Sequence, residues 1–416
     1  MSAPTDLVYV FSSRSRLAYA RDILNVTCLP REVVYLFRYY YKFVPESLRA
    51  SGGLRSAIAG KEAIIIFADI VEVGAGREYR FVPIRRARLL DPTIVGSVIY
   101  VPFQLKEFVD LGRDVSLHAK CDDQIKTLQG APRFSMDPKE SGSFILPAPC
   151  IELLSETSTP FDEDSQQRAW ESIVERLSRT ESFKFSTFYR IRSVKSGNKT
   201  LRPLIAGAGS EYPLSGNETL SITLSFFHSR NPIIERRKLK LVANGDLFSG
   251  DVDREIPADL PYNDVTMRLL ARRTLERQLT SVSFAPQPWS PNPQEIRLMN
   301  QALNDGEGRQ LTLDILQKEA AELEQQFASG TFIAPFPEIV IKLGIPWVTV
   351  ISVAVLFLLA NIGLAANTEW VSGIGVALSI DVLQQFPGTW AVFMRTGGAV
   401  AFLFATVYVF RRLPIK

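Results

Sequence analysis

From Ile345 to Ala366 the chain reads IPWVTVISVAVLFLLANIGLAA, 22 residues without a charge. A bilayer core of about 30 Å takes roughly 20 apolar residues at helical rise, so this stretch has the length of a membrane span. Trp390–Phe410 is a second such stretch of 21 residues, interrupted only by Arg395. Trp347, Trp370, Trp390 and Tyr408 stand at or near the ends of the two stretches, where amphipathic rings favour the headgroup layer. The pair predicts a two-helix transmembrane hairpin over 344–410, with spans at 345–366 and 390–410. The connection between them carries Glu369 and Asp381 but no Lys or Arg, while Arg411, Arg412 and Lys416 follow the second span and Lys342 precedes the first. By the positive-inside rule both termini face the cytoplasm. The expected location is therefore an integral membrane protein, in a bacterial inner membrane. Ile374–Phe386 is apolar for a connection and reads as either an interfacial or re-entrant helix or a packed cap.

Averages over the whole chain conceal this division. Four of its 47 basic and two of its 44 acidic residues lie from Gly344 onward, leaving 43 and 42 in the preceding 343 residues. That near-balanced body excludes a strongly basic binder of long nucleic acid. Three widely spaced cysteines, Cys28, Cys121 and Cys150, argue against a disulfide framework and for a reducing compartment. No basic-then-apolar secretory signal is visible at the N-terminus, so the sequons at Asn25, Asn198 and Asn217 are expected to be unmodified.

The body reads as mainly β (α+β), in two β-rich domains. In residues 1–131, Leu7–Phe11, Val33–Phe43, Ala63–Val73, Tyr79–Leu90 and Ile94–Leu105 combine β-branched and aromatic residues, which predicts strands. Gly74-Ala75-Gly76 reads as a hairpin turn. A stretch rich in Pro, Ser and Gly at 132–149 is the expected linker. Residues 150–285 predict a β-sandwich-like domain with peripheral helices. One helix is expected at Ser165–Arg179, where Trp170, Ile173, Val174 and Leu177 share a face and Asp164 caps. A second is expected at Asp264–Leu279. Phe183–Val194, Thr219–Phe227 and Arg236–Asp246 are expected to share one sheet, the last ending in an Asn-Gly turn. Beyond a Pro-rich linker at 286–294, Leu313, Leu316, Ala320, Leu323 and Phe327 follow a 3-4 spacing. They form either a coiled-coil seam in a helical stalk (286–333) or a stripe packed on the second domain.

Residues that carry chemistry are sparse. The two histidines, His118 and His228, fall in different domains, and Cys121, Asp122 and Asp123 lie beside the first. No nucleophile elbow, Walker loop, HExxH or CxxC occurs, and Asp246, Asp251 and Asp253 lack calcium-loop spacing. The sequence therefore predicts no catalytic residue, metal or cofactor. Arginine forks suit phosphates, which makes Arg85, Arg86 and Arg88, with Arg236 and Arg237, the candidate anion site. In the tail, Gly397, Ala401 and Ala405 form a small-residue ridge suited to helix association. Arg395, about 7–8 Å inside its span at helical rise, either snorkels outward or lines a polar seam with Asn361.

A cytosolic body on a two-span module resembles, in architecture only, membrane effectors of bacterial defence systems. The expected function is a non-enzymatic, membrane-anchored sensor or effector. Its body would bind a protein partner or small anionic ligand, and its spans would form a homo-oligomer in the lipid bilayer that perturbs it. A passive anchored scaffold is the first alternative, and an enzyme built around His118 the second.

Overall fold

The computed structural model describes residues 7–134, 142–286 and 337–345, less short stretches at 14–16, 41–42, 50–52, 157–161, 181–182, 184–186, 208, 229–236, 251–252, 257–261, 273 and 275–276. Among the described residues strand outweighs helix, 51% to 23%, so the body is mainly β. Apart from Ile345, both sequence-predicted spans lie outside the described residues, with Asn361, Arg395, Gly397, Ala401 and Ala405. So do Arg236 and the stalk residues Leu313, Leu316, Ala320, Leu323 and Phe327. Among the described residues no helix is long and apolar enough to cross a membrane.

The first half runs β1 (Leu7–Ser13), α1 (Leu17–Cys28), β2 (Val34–Tyr40), α2 (Glu46–Arg49), α3 (Gly53–Ile58), β3 (Glu62–Val73), β4 (Gly76–Leu89), β5 (Thr93–Val95) and β6 (Val98–Phe108). It continues with α4 (Val115–Thr127), β7 (Ile145–Ala148), α5 (Glu152–Glu156) and α6 (Glu163–Leu177). Its seven strands form one sheet in the order β2-β6-β4-β3-β1-β7, with β5 on β6. β3 and β4 make a long hairpin through the expected turn, where Gly74 has φ 59, a conformation glycine adopts without a Cβ penalty. β1 pairs in parallel with β3, which requires a crossover, and α1 lies within it. Every residue of α1 from Tyr19 to Cys28 is buried, between β1 and β4 on one side and the strand Thr187–Ser196 of the second half on another. A helix covered all round has no polar face, so it lacks the amphipathic period that marks one in a sequence. β7 falls inside the stretch expected to be a linker and extends the sheet beside β1.

The second half runs β8 (Thr187–Ser196), β9 (Lys199–Thr200), β10 (Leu204–Ala206), β11 (Gly209–Ser215), β12 (Thr219–His228), β13 (Arg237–Ala243), β14 (Phe248–Gly250), β15 (Asp253–Ile256), β16 (Tyr262–Ala271), β17 (Gln278–Pro286) and β18 (Glu338–Gly344). They form a five-stranded sheet, β14-β16-β12-β8-β9, and a six-stranded one, β10-β11-β18-β17-β13-β15. The two are joined through a buried hydrogen bond from Tyr189 Oη on β8 to Phe284 O on β17, 3.2 Å. Apolar side chains of all three sheets belong to one continuous core.

Three expectations are corrected. The helix expected at Asp264–Leu279 is strand over Tyr262–Ala271, paired with β12 from Phe227↔Tyr262 to Thr219↔Leu270. Met267, Leu269 and Ala271 point inward while Asp264, Thr266, Arg268 and Leu270 are exposed, and that period of two belongs to a strand. β13 does not share a sheet with β8 and β12; it joins β17 and β15 in the other sheet, and the turn at Asn244–Leu247 carries the chain across to β14. The helix over Glu163–Leu177 does bury Trp170, Ile173, Val174 and Leu177. Its N-cap is Asp162 rather than Asp164, accepting from Ser165 N at 2.8 Å.

Candidate functional site

The arginines singled out on β4 occupy three different environments. Pro83 cannot donate to a ladder, and beside it the β3–β4 register shifts between Ile65 and Ile66. The β4–β6 register shifts between Arg85 and Ala87. There Arg85 turns into the core, 2% exposed. Its Nε donates to Lys106 O at 2.7 Å, and its Nη1 donates to Val26 O at 3.0 Å and Leu29 O at 2.6 Å. Val26 and Leu29 lie at the C-terminal end of α1, where carbonyls lack helical partners. One guanidinium thus caps α1 and ties it to β6. Burial, reinforced by the Arg190 charge, pushes Arg85 down to about 9, so it remains a cation at neutral pH.

Phe108 supports this charge. Its ring centroid lies 4.3 Å from the Arg85 guanidinium carbon and 5.3 Å from that of Arg190 on β8, within cation–π range. Arg190 is pushed down by burial and held charged by Glu163, 2.9 Å from its Nη2, and it donates to Gln167 Oε1 at 3.0 Å. Glu163 also meets Arg192, which reaches Asp264 Oδ2 at 2.8 Å. This ion network holds the N-terminus of α6 against the five-stranded sheet.

Arg86 donates to Leu154 O on α5, and Arg88 is exposed. Arg237 opens β13 opposite Ile256, in another sheet. The structure therefore does not bring Arg237 into a shared pairing with the β4 arginines, and the described donors of Arg85 are committed to backbone carbonyls.

The His118 neighbourhood is a clamp. His118 Nε2 is 2.9 Å from Gly112 O and Nδ1 is 2.7 Å from Arg176 Nη1. Arg176 can only donate, so Nδ1 accepts and Nε2 carries the proton. Burial first, then the Arg176 charge, hold the imidazole below its usual value. Arg176 Nη2 reaches Phe81 O, and Phe81 N donates to Asp122 Oδ1 at 2.6 Å. Lys126 Nζ pairs with Asp122 Oδ2 at 2.8 Å. Together they lock α4 and α6 onto β4. Cys121 is fully buried, which pushes its thiol up to about 11, far from the thiolate a nucleophile needs. The β12 residue His228 pairs with Thr187 in the five-stranded sheet. Among the described residues, no group of three His, Cys, Asp or Glu is placed to hold a metal ion.

One inner strand, β18, was not read from the sequence. β18 lies between β11, parallel, and β17, antiparallel. Ile339, Ile341 and Leu343 are buried at 2%, 0% and 0%, while Glu338, Val340 and Lys342 alternate with them on the half-buried face. Lys342 Nζ meets Glu211 Oε2 at 2.7 Å, and Gly344 O accepts from Gly216 N at 3.1 Å. The next residue is Ile345, where the uncharged 22-residue stretch begins. The available signal was the alternation in EIVIKLG, overshadowed by the adjoining apolar run. No family model, curated protein or solved structure matches the chain.

Proposed function

We propose that the protein is a membrane-anchored sensor or effector. Its β-rich body binds a protein partner or small anionic ligand. Its two C-terminal spans self-associate and perturb the bilayer, in the manner of membrane effectors of bacterial defence systems. The observation that supports this reading is β18, an inner strand of the six-stranded sheet that ends where the first span is expected to begin. A change in the packing of the body then reaches the tail through a hydrogen-bonded strand and not through a slack tether. The structural contacts of His118 and the full burial of Cys121 weigh against an enzyme built around them.

The test uses the full chain reconstituted into dye-loaded vesicles, with bodies clustered by a bivalent antibody to an N-terminal tag. Clustering is expected to release dye from the native protein. A chimera whose hairpin is replaced by an unrelated two-span anchor should release none. Equal release from both, or none from either, would leave the passive scaffold as the better reading.

A further inference from the structure

We propose that the end of the two-sheet unit from which the chain leaves toward Ile345 docks on an anionic lipid surface. This rests on the reading that Ile345–Ala366 spans a bilayer. Backbone bonds gather this end from both sheets: Gly216 N to Gly344 O at 3.1 Å, Asn217 N to Ala271 O at 2.9 Å, Gly197 N to Thr219 O at 3.1 Å and Arg272 N to Leu247 O at 2.8 Å. Lys195 and Lys199, either side of the β8–β9 turn, are exposed here, as are Arg272 after β16 and Arg277 before β17. No ion pair joins any of these four to an acidic residue among the described residues.

Acidic groups at the same end do not cancel them. Glu218 is half-buried and accepts from Ser196 Oγ and Ser215 N, which leaves Asp246 as the exposed carboxylate on the described turn. Two apolar side chains accompany the cations: Leu270 on the outer face of one sheet is 47% exposed, and Leu279 on the other is 53% exposed.

Where the chain leaves the fold decides what covers this face. Strands about 4.8 Å apart and sheets about 10 Å apart keep these turns on one end face with Gly344. A span starting at the next residue brings the headgroups up to that face. A cation within a Debye length of an anionic leaflet gains about fivefold in partitioning, and leucines beside it add contact with the acyl boundary. Four exposed cations without an ion pair among the described residues and two exposed leucines around the exit point match that surface in charge and polarity.

The experiment places an environment-sensitive fluorophore at Leu279→Cys in a Cys150→Ser background of the full chain. Val115→Cys, on α4 and 71% exposed, is the reference. Cys28 and Cys121 are fully buried and do not label in the folded protein. In nanodiscs containing phosphatidylglycerol the label at 279 should shift to an apolar environment, and in pure phosphatidylcholine it should stay aqueous. Lys195→Glu/Lys199→Glu/Arg272→Glu/Arg277→Glu, or about 0.5 M salt, should reverse the shift, with the reference label unchanged throughout. A label at 279 that stays aqueous in anionic discs, or is shielded by soluble polyglutamate and not by lipid, overturns the docking face. Resistance to alkaline extraction is scored separately, and its loss sinks the spanning reading.

Discussion

The burial alternation along β18 makes a quantitative prediction that separates a true inner strand from a loosely placed one. Ile341 is fully buried and Val340, its neighbour, is half-buried on the opposite face. Ile341→Ala removes three carbon groups at about 0.8 kcal/mol each, near 2.4 kcal/mol, and the residual cavity brings the loss to about 3 kcal/mol. Val340→Ala removes two such groups from a site already half in water, so it costs about 0.8 kcal/mol. Urea unfolding of the full chain in detergent, followed by Trp fluorescence, reads the difference as a shift in midpoint at unchanged slope. A one-residue slip of register exchanges the two faces. Equal losses, or a larger loss for Val340→Ala, would therefore refute the placement of β18 and the junction built on it.

Arg85→Lys should cost about 2–3 kcal/mol, because an ammonium cannot span three carbonyls and stack on Phe108 as the fork does. Arg88→Lys should stay within about 0.5 kcal/mol, and urea unfolding of both variants checks the contrast. The His118 imidazole titrates lower in the folded chain than its usual 6.5, so below that pH the unfolded chain binds the extra proton. Stability should thus fall as pH drops from 6.5 toward the folded value, and His118→Gln should flatten that part of a thermal-denaturation profile. Iodoacetamide with mass-spectrometric readout should modify half-buried Cys150 first, and Cys28 and Cys121 only on unfolding, since both are fully buried with raised thiol values.

Strands whose residues carry their own signal were legible. Ala63–Val73 and Tyr79–Leu90 are dense in β-branched and aromatic residues and form the β3–β4 hairpin as read. α6 showed its stripe because one face meets water. α1 was not legible, since burial on every side erases the contrast that periodicity depends on. At Asp264–Leu279 a helix was expected, yet Met267, Leu269 and Ala271 alternate inward and pairing with β12 decides the outcome. The candidate site was the least legible. Arg85 looks like an anion fork in the sequence, and only a register shift beside Pro83, together with the end of α1 across the core, turns it into a cap. Long-range pairing hides β18 in the same way, because its partners β11 and β17 precede it by more than 50 residues.

The claim that the body acts on the tail through β18 is tested most directly by slack placed between Gly344 and Ile345. A Gly/Ser spacer of about ten residues adds roughly 17 Å of random-coil separation and leaves both the sheet and the hairpin intact. This variant should still resist alkaline extraction and still oligomerise, but no longer release dye when its bodies are clustered. Release equal to that of the unspaced chain would contradict it.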